Sequence, residues 1–129
     1  MMHPYELIGM KYRLGATPEK HGAADCLSLA RSVLDFYGIP TPEPERGWYR
    51  RLKRGDTDVF KEELSKWGNK INSPTLGAVA LCRSETGSNA GLAMATFFED
   101  GWISFVGSAV MWNPIGVLVV EEMYSSRLK

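Results

Sequence analysis

The residue best placed for chemistry in this sequence is Cys26, which follows Asp25 at the start of a run with helical spacing. Unpaired backbone N–H groups and the helix dipole at such a position favour negative charge, and so a thiolate nucleophile. A free cysteine also serves as a small apolar side chain on the inner face of a helix, and position alone leaves both readings open. A cysteine nucleophile needs a neighbouring base, usually histidine, to hold the thiolate and to protonate the leaving group. The chain has two histidines. His3 sits next to Pro4 near the start, and His21 lies in a loop five residues before Cys26, where a base is poorly oriented. Neither belongs to a segment that reads as sheet.

The elements that must position Cys26 follow from the apolar periodicity. Cys26, Leu29, Ala30, Val33, Leu34 and Tyr37 recur at helical spacing, and Gly38 with Pro40 supplies the stop, so a helix is expected over Asp25–Tyr37. Before it, Tyr5 to Leu14 reads as a short helix or turn, followed by irregular chain as far as Asp25. After it, Thr41 to Gly55 reads as an irregular surface connection. Asp56 or Thr57 caps a second helix that runs to about Trp67. Beyond Pro74 come four strand-like runs: Ala78 to Cys82, Leu92 to Phe98, Trp102 to Val106 and Ile115 to Val120. Asp100-Gly101 is the sharpest hairpin signal. The expectation is an α+β fold, one domain over 1–129, with N-terminal helices packed on a C-terminal antiparallel sheet of about four to five strands. Glu121 to Lys129 reads as a polar tail, either a short helix or a docking segment.

With this frame in place, Tyr12-Arg13-Leu14-Gly15-Ala16, Gly22-Ala23-Ala24-Asp25-Cys26-Leu27-Ser28-Leu29-Ala30-Arg31 and Tyr37-Gly38 resemble the NlpC family of papain-like cell-wall cysteine peptidases, in its phage-encoded, tail-associated branch. Trp48 stands where that branch carries a tryptophan. Leu76 to Arg83 resembles the family's Pro-Gly-Asp strand, and Asn89-Ala90-Gly91-Leu92 resembles its His-x-Gly-Ile strand. The resemblance implies a papain-like fold with Cys26 as nucleophile and Tyr12 near the reacting centre. It puts Asn89 at the position of the catalytic histidine, and the third polar residue at Ser104 or Phe105. Ala78 departs from the family's aspartate and Ser28 from its glycine. An amide has no titratable nitrogen, so Asn89 cannot exchange a proton with Cys26, and the two-residue mechanism cannot run as written.

Composition narrows the remaining classes. Fifteen Lys plus Arg balance fifteen Asp plus Glu, so no global field draws the chain to nucleic acid or to an acidic membrane. Arg46, Trp48, Tyr49, Arg50, Arg51, Lys53 and Arg54 mix basic and aromatic residues, but acidic neighbours flank them. A solvated connection is favoured there over nucleic acid, with Trp48, Tyr49, Arg50 and Arg51 as a candidate protein-binding patch. His21, Cys26 and Cys82 offer no metal-ligand spacing, so neither a metal nor a cofactor is expected, and both cysteines are expected as free thiols. The first residues carry no signal peptide and no run reaches the roughly 20 apolar residues of a membrane span. These readings, with the resemblance, lead to a degenerate NlpC-type domain made in a cytoplasm and carried in a virion, with other tail proteins as partners. The alternatives are an active peptidase or amidase that cuts peptidoglycan stem peptides, with His21 or a partner's histidine recruited as base, and a non-catalytic module that binds peptide or glycan fragments.

Overall fold

The computed structural model describes residues 2–43, 47–56, 58–83 and 92–125. The chain opens with a 3₁₀ turn, Pro4–Leu7, started by Pro4 and capped by His3, whose Nδ1 accepts from the Tyr5 N–H at 3.2 Å. A two-residue strand β1 (Lys11–Tyr12), a single helical turn α1 (Pro18–His21) and a second short strand β2 (Ala23–Ala24) lead into α2 (Cys26–Phe36). Two more helices follow, α3 (Trp48–Lys53) and α4 (Asp58–Trp67), and then β3 (Asn69–Ile71). The remainder is β4 (Ala78–Arg83), β5 (Leu92–Phe98), β6 (Gly101–Val106), β7 (Ala109–Pro114) and β8 (Val119–Ser125).

The architecture is α+β, but the sheet has eight strands rather than four or five, in the order β2-β1-β7-β6-β5-β4-β8-β3. All neighbours are antiparallel except β1 and β2, which are parallel. Four antiparallel steps separate β7 from β8, so the two run in the same direction, yet only residues 115–118 join them. A flat sheet would hold them four spacings of about 4.8 Å apart and would also require the link to return along a strand's length. Five residue steps, at about 3.5 Å each, cannot cover that. The sheet therefore rolls until the end of β7 lies close to the start of β8, in the manner of an open barrel.

Rolling gives the sheet two unlike faces. The helix-side face carries Val79, Leu81, Met94 and Tyr124, which pack with Leu27, Ala30 and Leu34 of α2 and with Trp48, Phe60, Leu64 and Trp67 of α3 and α4. Phe98, Ile103 and Val110 extend it under Leu29 and Val33 of α2 and Leu7 of the 3₁₀ turn. The inner face carries Ala78, Ala80, Cys82, Ala95 and Trp102, closed by Leu118, Val120 and Met123. Small residues line it because a rolled sheet leaves little room inside; one tryptophan, Trp102, fills the middle at 1% exposure.

Several expectations change here. The connection from Thr41 to Gly55 is not all irregular, since it contains α3, which Trp48 anchors in the core. Ile115 to Val120 is not one strand: residues 115–118 turn, and strands lie on either side of them. The Glu121 end of the supposed tail belongs to β8, an interior strand between β4 and β3. Its acidic residues are held by cations from neighbouring elements, with Glu122 at 3.2 Å from both Lys61 and Lys70 and Glu121 at 2.7 Å from Arg83. The hairpin after Phe98 turns on Glu99 and Asp100, both with positive φ (47° and 57°), as a two-residue primed turn demands. Gly101 is needed for closeness instead: a Cβ there would sit 2.5 Å from the Trp112 ring and the Asn113 carbonyl oxygen. Among the described residues no helix is long and apolar enough to cross a membrane.

Candidate functional site

Asp25 builds the site. Its Oδ1 accepts from the Ser28 N–H at 2.9 Å while the Asp25 N–H donates to Ser28 Oγ at 3.0 Å, a reciprocal capping box that fixes the first turn of α2. Its Oδ2 accepts from the Gly15 N–H at 2.8 Å and so ties the loop after Tyr12 to the helix start. Both oxygens are engaged and the residue is fully buried. Asp25 is thus a structural anchor, and Ser28 is the other half of its cap.

Cys26 occupies the next position, partly buried against the core formed by α2, α4 and β5. The ladder between β5 and β6 ends at Thr96–Ile103, before it reaches Met94, and the Met94 N–H points at the Cys26 sulfur. That bond favours a thiolate, but burial outweighs it and the Asp25 carboxylate adds to burial, so the thiol is pushed up to about 11. The activation that a helix terminus favours does not prevail. Tyr12 stands beside the thiol and is itself pushed up to about 12, first by burial and then by the charges of Cys26 and Asp25. Tyr49 lies on the same side and is raised by burial and by Asp25. The Tyr12 ring meets Phe105 edge-on at 5.2 Å, so aromatic rings wall the site.

The residues singled out from the sequence separate into those the fold gathers and those it does not. Tyr12, Cys26 and Tyr49 come together. His21 does not join them: it is exposed at the end of α1, and its Nδ1 accepts from the Thr17 N–H at 3.0 Å. His3 belongs to an aromatic group with Tyr5, Phe36 and Phe98 around the far end of α2. Ser104 alternates with Ile103 and Phe105 and so faces the inner side of the sheet, where its Oγ accepts from Asn113 Nδ2 at 3.2 Å. Phe105 takes the helix-side position, partly buried against the cluster under α2. Asn89 lies outside the described residues.

The candidate partner patch is also redistributed. Trp48 is 4% exposed and packs on Phe60, so it is core. Arg51 is bound to Asp56 at 2.8 Å and to Glu62 at 2.5 Å. Arg50 is left on the surface, and the Tyr49 ring packs edge-on against Trp48 at 5.0 Å. The group that sequence reasoning missed is the Met94 N–H, a backbone donor with no side-chain signal. Cys26 and Cys82 are both free thiols, on opposite faces of the sheet, and burial pushes Cys82 up to about 12. Among the described residues no three His, Cys, Asp or Glu side chains are grouped to hold a metal ion. Comparison with family models, with curated proteins and with solved structures yields no match for this chain.

Proposed function

We propose that this chain is a catalytically silent NlpC-type domain, papain-like in fold, that serves as a structural or assembly piece of a phage particle, its tail above all. The observation that carries the reading is the state of Cys26: a neutral thiol with aromatic neighbours and, among the described residues, no imidazole facing it. Phe105 in place of a polar orienting residue, and Asn89 at the histidine position of the family pattern, point the same way. What remains at the site packs well: Asp25 locks a loop to a helix, and the Tyr12 ring of β1 packs edge-on against Phe105 of β6, across β7. The setting in a virion rests on the likeness to the phage branch.

The test is thiol labelling from pH 6 to 11 in a Cys82→Ser background, alongside digestion of purified peptidoglycan. Labelling that rises only above pH 10, with no muropeptide release, is the expected outcome. A titration centred near neutrality with released fragments would reverse the reading. Mass spectrometry of purified particles from the source tests the assembly role, which fails if the chain is absent from them. One observation favours the peptidase alternative: Tyr12 and the Met94 N–H flank the sulfur as a reacting centre would require. That alternative still needs a histidine from a partner chain or from outside the described residues.

A further inference from the structure

On the side of α2 turned away from the thiol, a cleft of about 730 Å³ lies between α1 and the chain at Ile39–Thr41. Its floor is a stripe of one helix face, Ser28, Arg31, Ser32 and Asp35, with Pro18 and Ile39 on the two walls. The two serines keep the floor low. Arg31 is the fixed cation in it: its Nε donates to Thr41 Oγ1 at 3.2 Å, which aims the two terminal nitrogens outward as a fork. A carboxylate already sits on that fork. Glu43 receives both nitrogens, at 3.0 Å and 3.5 Å, although its own side chain is 84% exposed. So exposed an ion pair is weak and easily exchanged.

We propose that this cleft is a binding site for a short peptide carboxylate, with Glu43 as its displaceable internal occupant. The floor from Ser28 to Asp35 is seven helical steps, about 10 Å, which matches three residues of extended chain. Lys20 on the rim adds a second cation, while Asp35, four residues on from Arg31 on the same face of α2, sets negative charge beside it and opposes a dianion such as phosphate. The site stands apart from the thiol, because Ser28, Arg31, Ser32 and Asp35 project from the face of α2 opposite Cys26 and Ala30. Its fate is therefore independent of the function proposed above.

Calorimetric or NMR titration of the full chain decides the matter, with tri-alanine, its C-terminal amide, an N-acetylated, C-amidated Ala-Glu-Ala and inorganic phosphate as probes. Tri-alanine or the Ala-Glu-Ala peptide is expected to bind. Whichever binds shows whether a chain terminus or an acidic side chain supplies the carboxylate. Removing the competitor with Glu43→Gln is expected to tighten binding about two- to fivefold, as loss of an exposed ion pair implies. Arg31→Gln should abolish it, and Ser32→Phe should do so by filling the floor while leaving Arg31 charged. The proposal is overturned if neither carboxylate peptide gives saturable binding to Glu43→Gln, if the tri-alanine amide binds as well as they do, or if phosphate competes equally.

Discussion

The two faces of the sheet are buried by different means. On one face α2, α3 and α4 lay down large side chains, Trp48, Phe60, Leu64 and Trp67 among them, against Val79, Leu81 and Met94. On the other, no helix packs among the described residues, and the sheet covers itself by rolling, with alanines at Ala78, Ala80 and Ala95 around Trp102. A face covered by helices can trade one large side chain for another, since the helices shift to suit. A face closed by curvature cannot, since its volume is set by the roll of the strands.

That contrast can be broken most directly at Trp102. Trp102→Ala removes the largest fully buried side chain of the inner face and is expected to cost about 3–5 kcal/mol, read from a urea unfolding midpoint. A loss below about 1 kcal/mol would mean that the inner face is not packed as described. Overfilling sharpens the comparison. Ala80→Leu should cost about 1–3 kcal/mol, whereas Leu81→Met, the adjacent residue on the helix side, should cost less than about 1.5 kcal/mol. Equal costs at the two positions would erase the distinction. A smaller effect is expected at the helix start, where Asp25→Ala removes a cap worth about 0.5–2 kcal/mol; protease cleavage in the loop around Gly15 should rise with it. The last effect is on pH. Both thiols keep their protons in the folded chain well above the ordinary thiol range, so between about pH 9 and 11 the unfolded chain releases protons that the folded one retains. Stability should fall across that window, and the fall should flatten in Cys26→Ser/Cys82→Ala. An unchanged slope in the double variant would place both thiols in water.

Much of the helix side was legible in the sequence. The spacing of Leu29, Ala30, Val33 and Leu34 located α2, Asp25 located its cap, and the runs from Ala78, Leu92 and Trp102 located β4, β5 and β6. The rolled side was hidden because its signals are tertiary. Asn113-Pro114 looks like punctuation but closes β7, and Glu121-Glu122 looks solvated but pairs with Lys61, Lys70 and Arg83 from elsewhere in the chain. α3 was obscured by the prolines and charges around it, and its one strong signal, Trp48, also reads as an interface residue. At the site, Cys26 and Tyr12 could be found from the sequence. The choice between Ser104 and Phe105 could not, because a strand boundary moved by one residue exchanges the two faces.

The place of β8 in the sheet sets the order in which the fold can form. Among the described strands β3 pairs with β8 alone, and β8 leaves the ribosome more than forty residues after β3. Until it arrives, α4 and β4 present an unpaired edge and a half-covered apolar surface, and the inner face stays open. The pairing is long-range, which slows folding by making loop closure precede any stabilising contact. Synthesis of this chain therefore passes through an interval in which the Cys26 helix is already made and the sheet meant to bury its thiol is not yet closed.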